Sequence, residues 1–163
     1  MKFSTLTRLA IAAGVLNIPQ AVAALTALEN STHLALGNDR LSAAVSKSKG
    51  SIVSLYLDGQ NLLGTVNGAR GTGPYLDCSC VPTGFWTPGN TAKYELIKGV
   101  DSTGTAYGGI IMGDTFAATN QSLYQYWFLR EGESGLHVFS RVTYFNESVP
   151  FVRGLGELRT LFR

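Results

Sequence analysis

Short stretches in which apolar side chains recur at every second residue, separated by Gly-containing turns, constrain this chain more than any other feature. In Leu41-Ser-Ala-Ala-Val-Ser46, Leu41, Ala43 and Val45 share one face while Ser42 and Ser46 lie on the other. In Ser51-Ile-Val-Ser-Leu-Tyr-Leu57, Val53, Leu55 and Leu57 point one way. A period of two marks half-buried strands. Lys47-Ser-Lys-Gly50 suits a hairpin connection, and Asp58-Gly59 supplies the positive φ that a tight turn needs. Further strands are expected at Tyr94–Val100, Tyr107–Met112, Leu123–Arg130, Leu136–Phe145 and Glu157–Arg163. Beyond the N-terminal segment, no window of a dozen residues carries helical periodicity. Regular short strands with turn punctuation predict an all-β, antiparallel β-sandwich.

The first residues have the form of an address. Lys2 and Arg8 precede a short apolar run, Leu9–Leu16, and Ala21-Val-Ala23 makes a small-residue cleavage site. Asn17, Pro19 and Gln20 interrupt the run, well short of the about 20 apolar residues that span a membrane. Residues 1–23 are therefore expected to be a signal peptide, residues 24–163 the mature chain, and the protein secreted. Without Lys2 and Arg8, the remaining basic residues equal the 11 acidic ones. No basic patch survives to bind nucleic acid. Export agrees with three sequons, at Asn30, Asn120 and Asn146, each a candidate glycosylation site.

Three regions carry chemistry. Leu123-Tyr-Gln-Tyr-Trp-Phe-Leu129 is large and aromatic on both faces. It is either a central strand covered on both sides or a sugar-binding face, with Gln125, His137 and Arg141 as polar partners. Gly68–Gly89 is rich in Gly and Pro with Tyr75, Phe85 and Trp86 interleaved, and is expected to be a loop with little regular structure. Its aromatics either contact carbohydrate or fill a satellite core. Cys78 and Cys80 are the only cysteines. A bridge between them is awkward, since Cα atoms two apart in a strand stand about 6.6 Å from each other, near the geometric limit. Zinc lacks a second ligand pair, and partners outside the chain remain a third option.

The motifs together have a family likeness. Asn38-Asp-Arg-Leu41, Leu55–Gly64, Gly73-Pro-Tyr-Leu-Asp-Cys-Ser-Cys80, Gly84-Phe-Trp-Thr-Pro-Gly89, Gln125–His137 and Gly156-Glu-Leu-Arg-Thr-Leu-Phe-Arg163 are their carriers. From about Leu25 to Arg163 the chain resembles the N-terminal part of the secreted rhamnogalacturonan lyases of polysaccharide lyase family 4. The resemblance implies a galactose-mutarotase-like super-sandwich followed by two further domains. It also implies cleavage of rhamnogalacturonan I between rhamnose and galacturonate by β-elimination. Arg159 matches the family's substrate-binding arginine and Arg163 a second basic position. The family's catalytic lysine and histidine fall beyond Arg163, so no residue here is assigned a catalytic role and the chain by itself is expected to be inactive. The likeness implies a monomer with no active-site cofactor, and leaves room for structural calcium in the downstream domains.

Lys47, Lys49, Lys93 and Lys98 are poor bases, since a solvated lysine titrates near about 10.4. His33 and His137 stand apart in sequence and make no evident pair. Two other readings compete. An aldose-1-epimerase-like enzyme calls for a histidine and glutamate set that two scattered histidines do not supply. A non-catalytic carbohydrate-binding module suits the aromatic loop, but not a sequence ending inside a strand-like run.

Overall fold

The alternating stretches become strands, and turn residues set where they reverse. The computed structural model describes residues 24–66, 69–70, 73–81, 84–89, 93–146 and 158–161; residues 1–23, the expected signal peptide, lie outside them. Strands β1 (Thr26–Glu29), β2 (His33–Gly37), β3 (Leu41–Ser46), β4 (Ile52–Leu57) and β5 (Gln60–Asn61) form an antiparallel sheet in sequence order. Asp58 and Gly59 both take positive φ, 49° and 80°, as the turn dipeptide predicts. The pair β6 (Thr65–Val66) and β7 (Ala69–Arg70) follows, then β8 (Tyr75–Val81) and β9 (Gly84–Trp86). A second large sheet contains β10 (Lys93–Val100), β11 (Ala106–Phe116), β12 (Gln121–Arg130) and β13 (His137–Tyr144), again in sequence order. The last strand, β14 (Leu158–Leu161), returns to pair antiparallel with β8.

Two layers result. Gly73 N–H donates to the Ile52 carbonyl at 2.9 Å, Ile52 N–H donates to the Pro74 carbonyl at 3.0 Å, and Ser51 bridges Tyr75. The β8 sheet therefore continues the first sheet sideways. Leu34, Leu36, Leu41, Ala43, Val45 and Ile52 from the first layer pack against Ile110, Met112, Trp127 and Leu129 from the second. A smaller cluster joins Leu76 and Cys78 of β8 to Leu123 of β12. Trp127 is 1% exposed at the centre, and emptying such a position typically costs about 3–5 kcal/mol. The fold is the expected all-β antiparallel sandwich.

Two expectations fail in detail. Val53 does not share the core face with Leu55 and Leu57. Ala44 opposes Ser54 but Val45 opposes Ile52, so a bulge leaves Val53 as the extra residue and turns Ile52 inward. The Gly68–Gly89 segment is not structureless either. Pairing with β14 and β9 organises β8, because Leu76 and Cys78 have a buried face to occupy.

Glycine has a packing role in β11. Gly109 opposes Phe128, and a Cβ built there falls 2.5 Å from the Phe128 ring and 2.8 Å from Ile97. Gly109→Ala should therefore destabilise by about 1–3 kcal/mol through overpacking. Gly64→Ala, where a methyl meets open space, should change stability far less; urea unfolding of both variants checks the contrast.

Candidate functional site

Strand β12 is buried at every second residue from Gln121 to Leu129 and half-buried at those between. Its outward residues are Tyr124, Tyr126, Phe128 and Arg130, and the register adds Tyr107 from β11 and His137, Phe139 and Arg141 from β13. The rings lie nearly parallel. Tyr126 and Phe139 stack at 4.6 Å with 9° between planes, and Phe128 and Phe139 at 5.6 Å with 12°. Tyr107 meets Phe128 edge-on at 5.9 Å. Phe139 remains 49% exposed, so this is an open aromatic shelf. At one end it dips into a pocket of about 380 Å³ lined by Ile97, Asp101, Tyr107, Phe128, Arg130 and His137.

An ion network frames that pocket. The Asp101 carboxylate accepts the Thr103 hydroxyl at 2.6 Å and the N–H groups of Thr103 and Thr105 at 2.8 and 3.1 Å. Its other oxygen takes Arg130 Nη2 at 2.5 Å. Arg130 Nη1 reaches Glu133 at 2.8 Å, and the second oxygen of Glu133 meets His137 Nε2 at 2.6 Å. The Thr103 hydroxyl, backbone N–H groups and Arg130 hold the Asp101 carboxyl far below the usual carboxylate range. Glu133 is also lowered, first by His137 and then by Arg130.

Both acids bind protons more weakly folded than unfolded. Their stabilisation is present above the unfolded carboxylate range and is lost as pH falls through the depressed folded values. Asp101→Asn should therefore lower the melting temperature at pH 7, by a margin that shrinks as the pH approaches 2. Thermal unfolding across that range gives the measurement, and a pH-independent margin would contradict the linkage.

The residues singled out in the sequence scatter. Arg159 stands on β14 opposite Asp77 of β8, a buried residue; Arg163 lies outside the described residues, as does Glu157. Of the three polar residues of the sugar-binding alternative, His137 and Arg141 take the outer face of the second sheet, whereas Gln125 does not. It is fully buried on the inner face, where its Oε1 accepts the Ser140 hydroxyl at 2.6 Å. Strand parity decides this: Gln125 falls in phase with Leu123 and Trp127. Lys47 Nζ contacts Glu29 and the Asn30 carbonyl, both at 2.6 Å, and sits 4.5 Å over the Tyr94 ring. Glu29 raises its pKa, the opposite of what a base requires.

Asn30 is exposed in a turn. Its Oδ1 accepts the N–H groups of Thr32 and His33 at 2.8 and 2.7 Å and the Thr32 hydroxyl at 3.1 Å. Asn120 is half-buried in a left-handed conformation, and Asn146 is half-buried at the end of β13. Cys78 is buried and disulfide-bonded. Sequence reading missed the Asp101–Arg130–Glu133 network. Its available signal was Asp101-Ser-Thr-Gly104, a turn in which the Asp caps its own loop.

No protein-family profile matches the chain. Among curated proteins it is 66% identical over 142 residues to the probable rhamnogalacturonate lyase C of Aspergillus oryzae, covering 87% of this chain and 20% of that protein. It is 56% identical over 164 residues to the rhamnogalacturonate lyase B of Emericella nidulans, covering 100% of this chain and 24% of that one. The probable rhamnogalacturonate lyase C of Emericella nidulans is 63% identical over 141 residues, or 86% of this chain and 13% of the relative. The chain thus spans about a quarter or less of the length of these relatives. Over that span, this chain is homologous to the rhamnogalacturonate lyases B and C, the family its motifs resemble.

Proposed function

We propose that this chain contributes the substrate-holding part of a secreted lyase that cleaves rhamnogalacturonan I between rhamnose and galacturonate. The observation that carries the reading is its 56–66% identity, over most of its length, to proteins named rhamnogalacturonate lyase. In β-elimination the proton on C5 of galacturonate passes to a base, the C4–O bond to the leaving sugar breaks, and a C4=C5 double bond forms. Negative charge builds on the neighbouring carboxylate as the proton leaves. A cation placed beside it in advance stabilises that charge. Arg159 has this role in our reading, because a guanidinium fork holds a carboxylate bidentately and stays charged. Its position on β14, at the edge of its sheet among the described residues, suits contact with a polymer. Arg163 is a second basic contact, and the base and acid come from outside this chain.

The segment 1–23 directs export, the mature chain is an extracellular monomer without an active-site cofactor, and its sequons carry glycan. Expressed with its own N-terminus in a secreting eukaryotic host, the product should begin near Ala24 and lose mass on enzymatic deglycosylation. Intact-mass measurement reads both; a retained Met1 on the secreted chain contradicts the signal peptide, and unchanged mass contradicts the glycans.

The role of Arg159 is testable by placing this sequence into the matching stretch of the Emericella nidulans lyase B. Arg159→Ala in that chimera should lower kcat/KM about 10²–10³-fold, the usual loss for one preorganised donor. Arg159→Lys should recover part, since the charge stays but the fork is lost. Formation of unsaturated uronate, followed by absorbance at matched melting temperature, is the readout. Equal kcat/KM in the chimera and its Arg159→Ala variant would remove Arg159 from the site.

A further inference from the structure

The outer face of the first sheet is hollow beside Asn30. Leu34, Leu36, Ala43 and Val45 turn into the core, which leaves Ala35 and Ala44 on the other side. The register sets Leu28, Ala35, Ala44 and Ser54 in one row across β1 to β4. Three of these four are small. A cavity of about 470 Å³ results, lined by Asn30, His33, Ala35, Ala44, Val53 and Ser54, within the range of small-ligand sites. The bulge that turns Val53 out of the core thus gives it a place in this lining.

The Asn30 amide is fixed at one end and free at the other. Asn30 is the exposed one of the three sequon asparagines. Its Oδ1 accepts the N–H groups of Thr32 and His33 and the Thr32 hydroxyl, an Asx turn in which the donor hydroxyl belongs to the sequon itself. Its Nδ2 has no hydrogen-bond partner among the described residues. At Asn120, by contrast, the sequon's Ser122 lies within β12, between Thr115 and Thr143.

We propose that Asn30 carries an N-linked glycan whose first N-acetylglucosamine lies in this cavity and covers the outer face of the first sheet. In the transfer, a bond forms from Asn30 Nδ2 to the anomeric carbon of an oligosaccharide carried on a lipid diphosphate. The bond from that carbon to the diphosphate oxygen breaks, Nδ2 gives up one proton, and the lipid diphosphate leaves. Oδ1 keeps its three hydrogen bonds, so the turn holds the sugar at the edge of the cavity. The acetamido methyl and the C–H face of the ring meet Ala35, Ala44 and Val53, while the hydroxyls face Ser54 and His33. No Asp, Glu, Lys or Arg lines the cavity among the described residues, which suits a neutral sugar. Tethering decides the occupant. A sugar attached to a lining residue has an effective concentration of order millimolar, enough to fill a site too weak to capture the same sugar free in solution.

This inference rests on the export and glycan reading, not on the lyase chemistry, and the test separates them. The full 163-residue chain is secreted from a eukaryotic host, mapped by peptide mass spectrometry and trimmed with an endoglycosidase to one N-acetylglucosamine per site. Asn30 should carry glycan, and the acetamido methyl of its remaining sugar should give nuclear Overhauser contacts to the methyl groups of Ala35, Ala44 or Val53. The same chain secreted with glycan transfer inhibited keeps Asn30 and its turn, and should melt about 2–4 °C lower. Ala44→Thr fills the cavity with a residue that strands favour. It should leave Asn30 glycosylated, abolish the contacts and narrow the melting gap. A bare Asn30 would overturn the inference together with the glycan reading at this site. A glycosylated Asn30 whose sugar makes no such contacts, or an equal melting gap in Ala44→Thr, would overturn the inference and leave the glycan reading standing. A dimer in sedimentation that Ala44→Thr dissolves would also overturn it, because the face would then be a contact between copies of this chain. Failure of the lyase reading would appear in the chimera's activity alone.

Discussion

The register of β12 is the constraint on which the rest of the structure depends. One set of its side chains, Leu123, Gln125, Trp127 and Leu129, fills the space between the layers. The other set, Tyr124, Tyr126, Phe128 and Arg130, makes the outer shelf. A slip of one residue exchanges the two faces, moving Trp127 into water and Arg130 into the core. Burial of Trp127 outweighs any single surface contact here, so the core fixes the register and the shelf follows from it. The outer rings in turn lie low because Gly109 leaves room beneath Phe128.

Asn38 ties this arrangement to the first layer. Its Nδ2 donates to the carbonyls of Arg130 and Glu133, both at 2.8 Å, while its Oδ1 accepts the N–H groups of Arg40 and Leu41 at 2.9 and 2.7 Å. One amide therefore closes the β2–β3 turn and clamps the β12–β13 turn from the opposite sheet. Arg130 and Glu133 are the residues whose side chains form the ion network. A residue that first stood out as part of a motif thus acts as a structural clasp behind the shelf.

Local pattern made part of this legible. Leu41, Ala43 and Val45 recur at every second residue and are all buried, and β3 has the expected limits although β4 bulges opposite Ala44 and Val45. Asp58-Gly59 was readable because positive φ is a local requirement. What escaped was set by pairing between distant segments. Val53 turns outward only because β3 and β4 pair with a bulge. The strand β8, hidden among glycines and prolines, exists by virtue of β14, some eighty residues later. The chemistry of Gln125 suits a polar partner on a sugar-binding face, one of the two readings of this strand, but its phase with Trp127 places it inside. The ion network joins the β10–β11 turn to the β12–β13 turn, and no spacing along the chain announces that meeting. For Arg159 the sequence motif says more than the fold, which supplies its register partner.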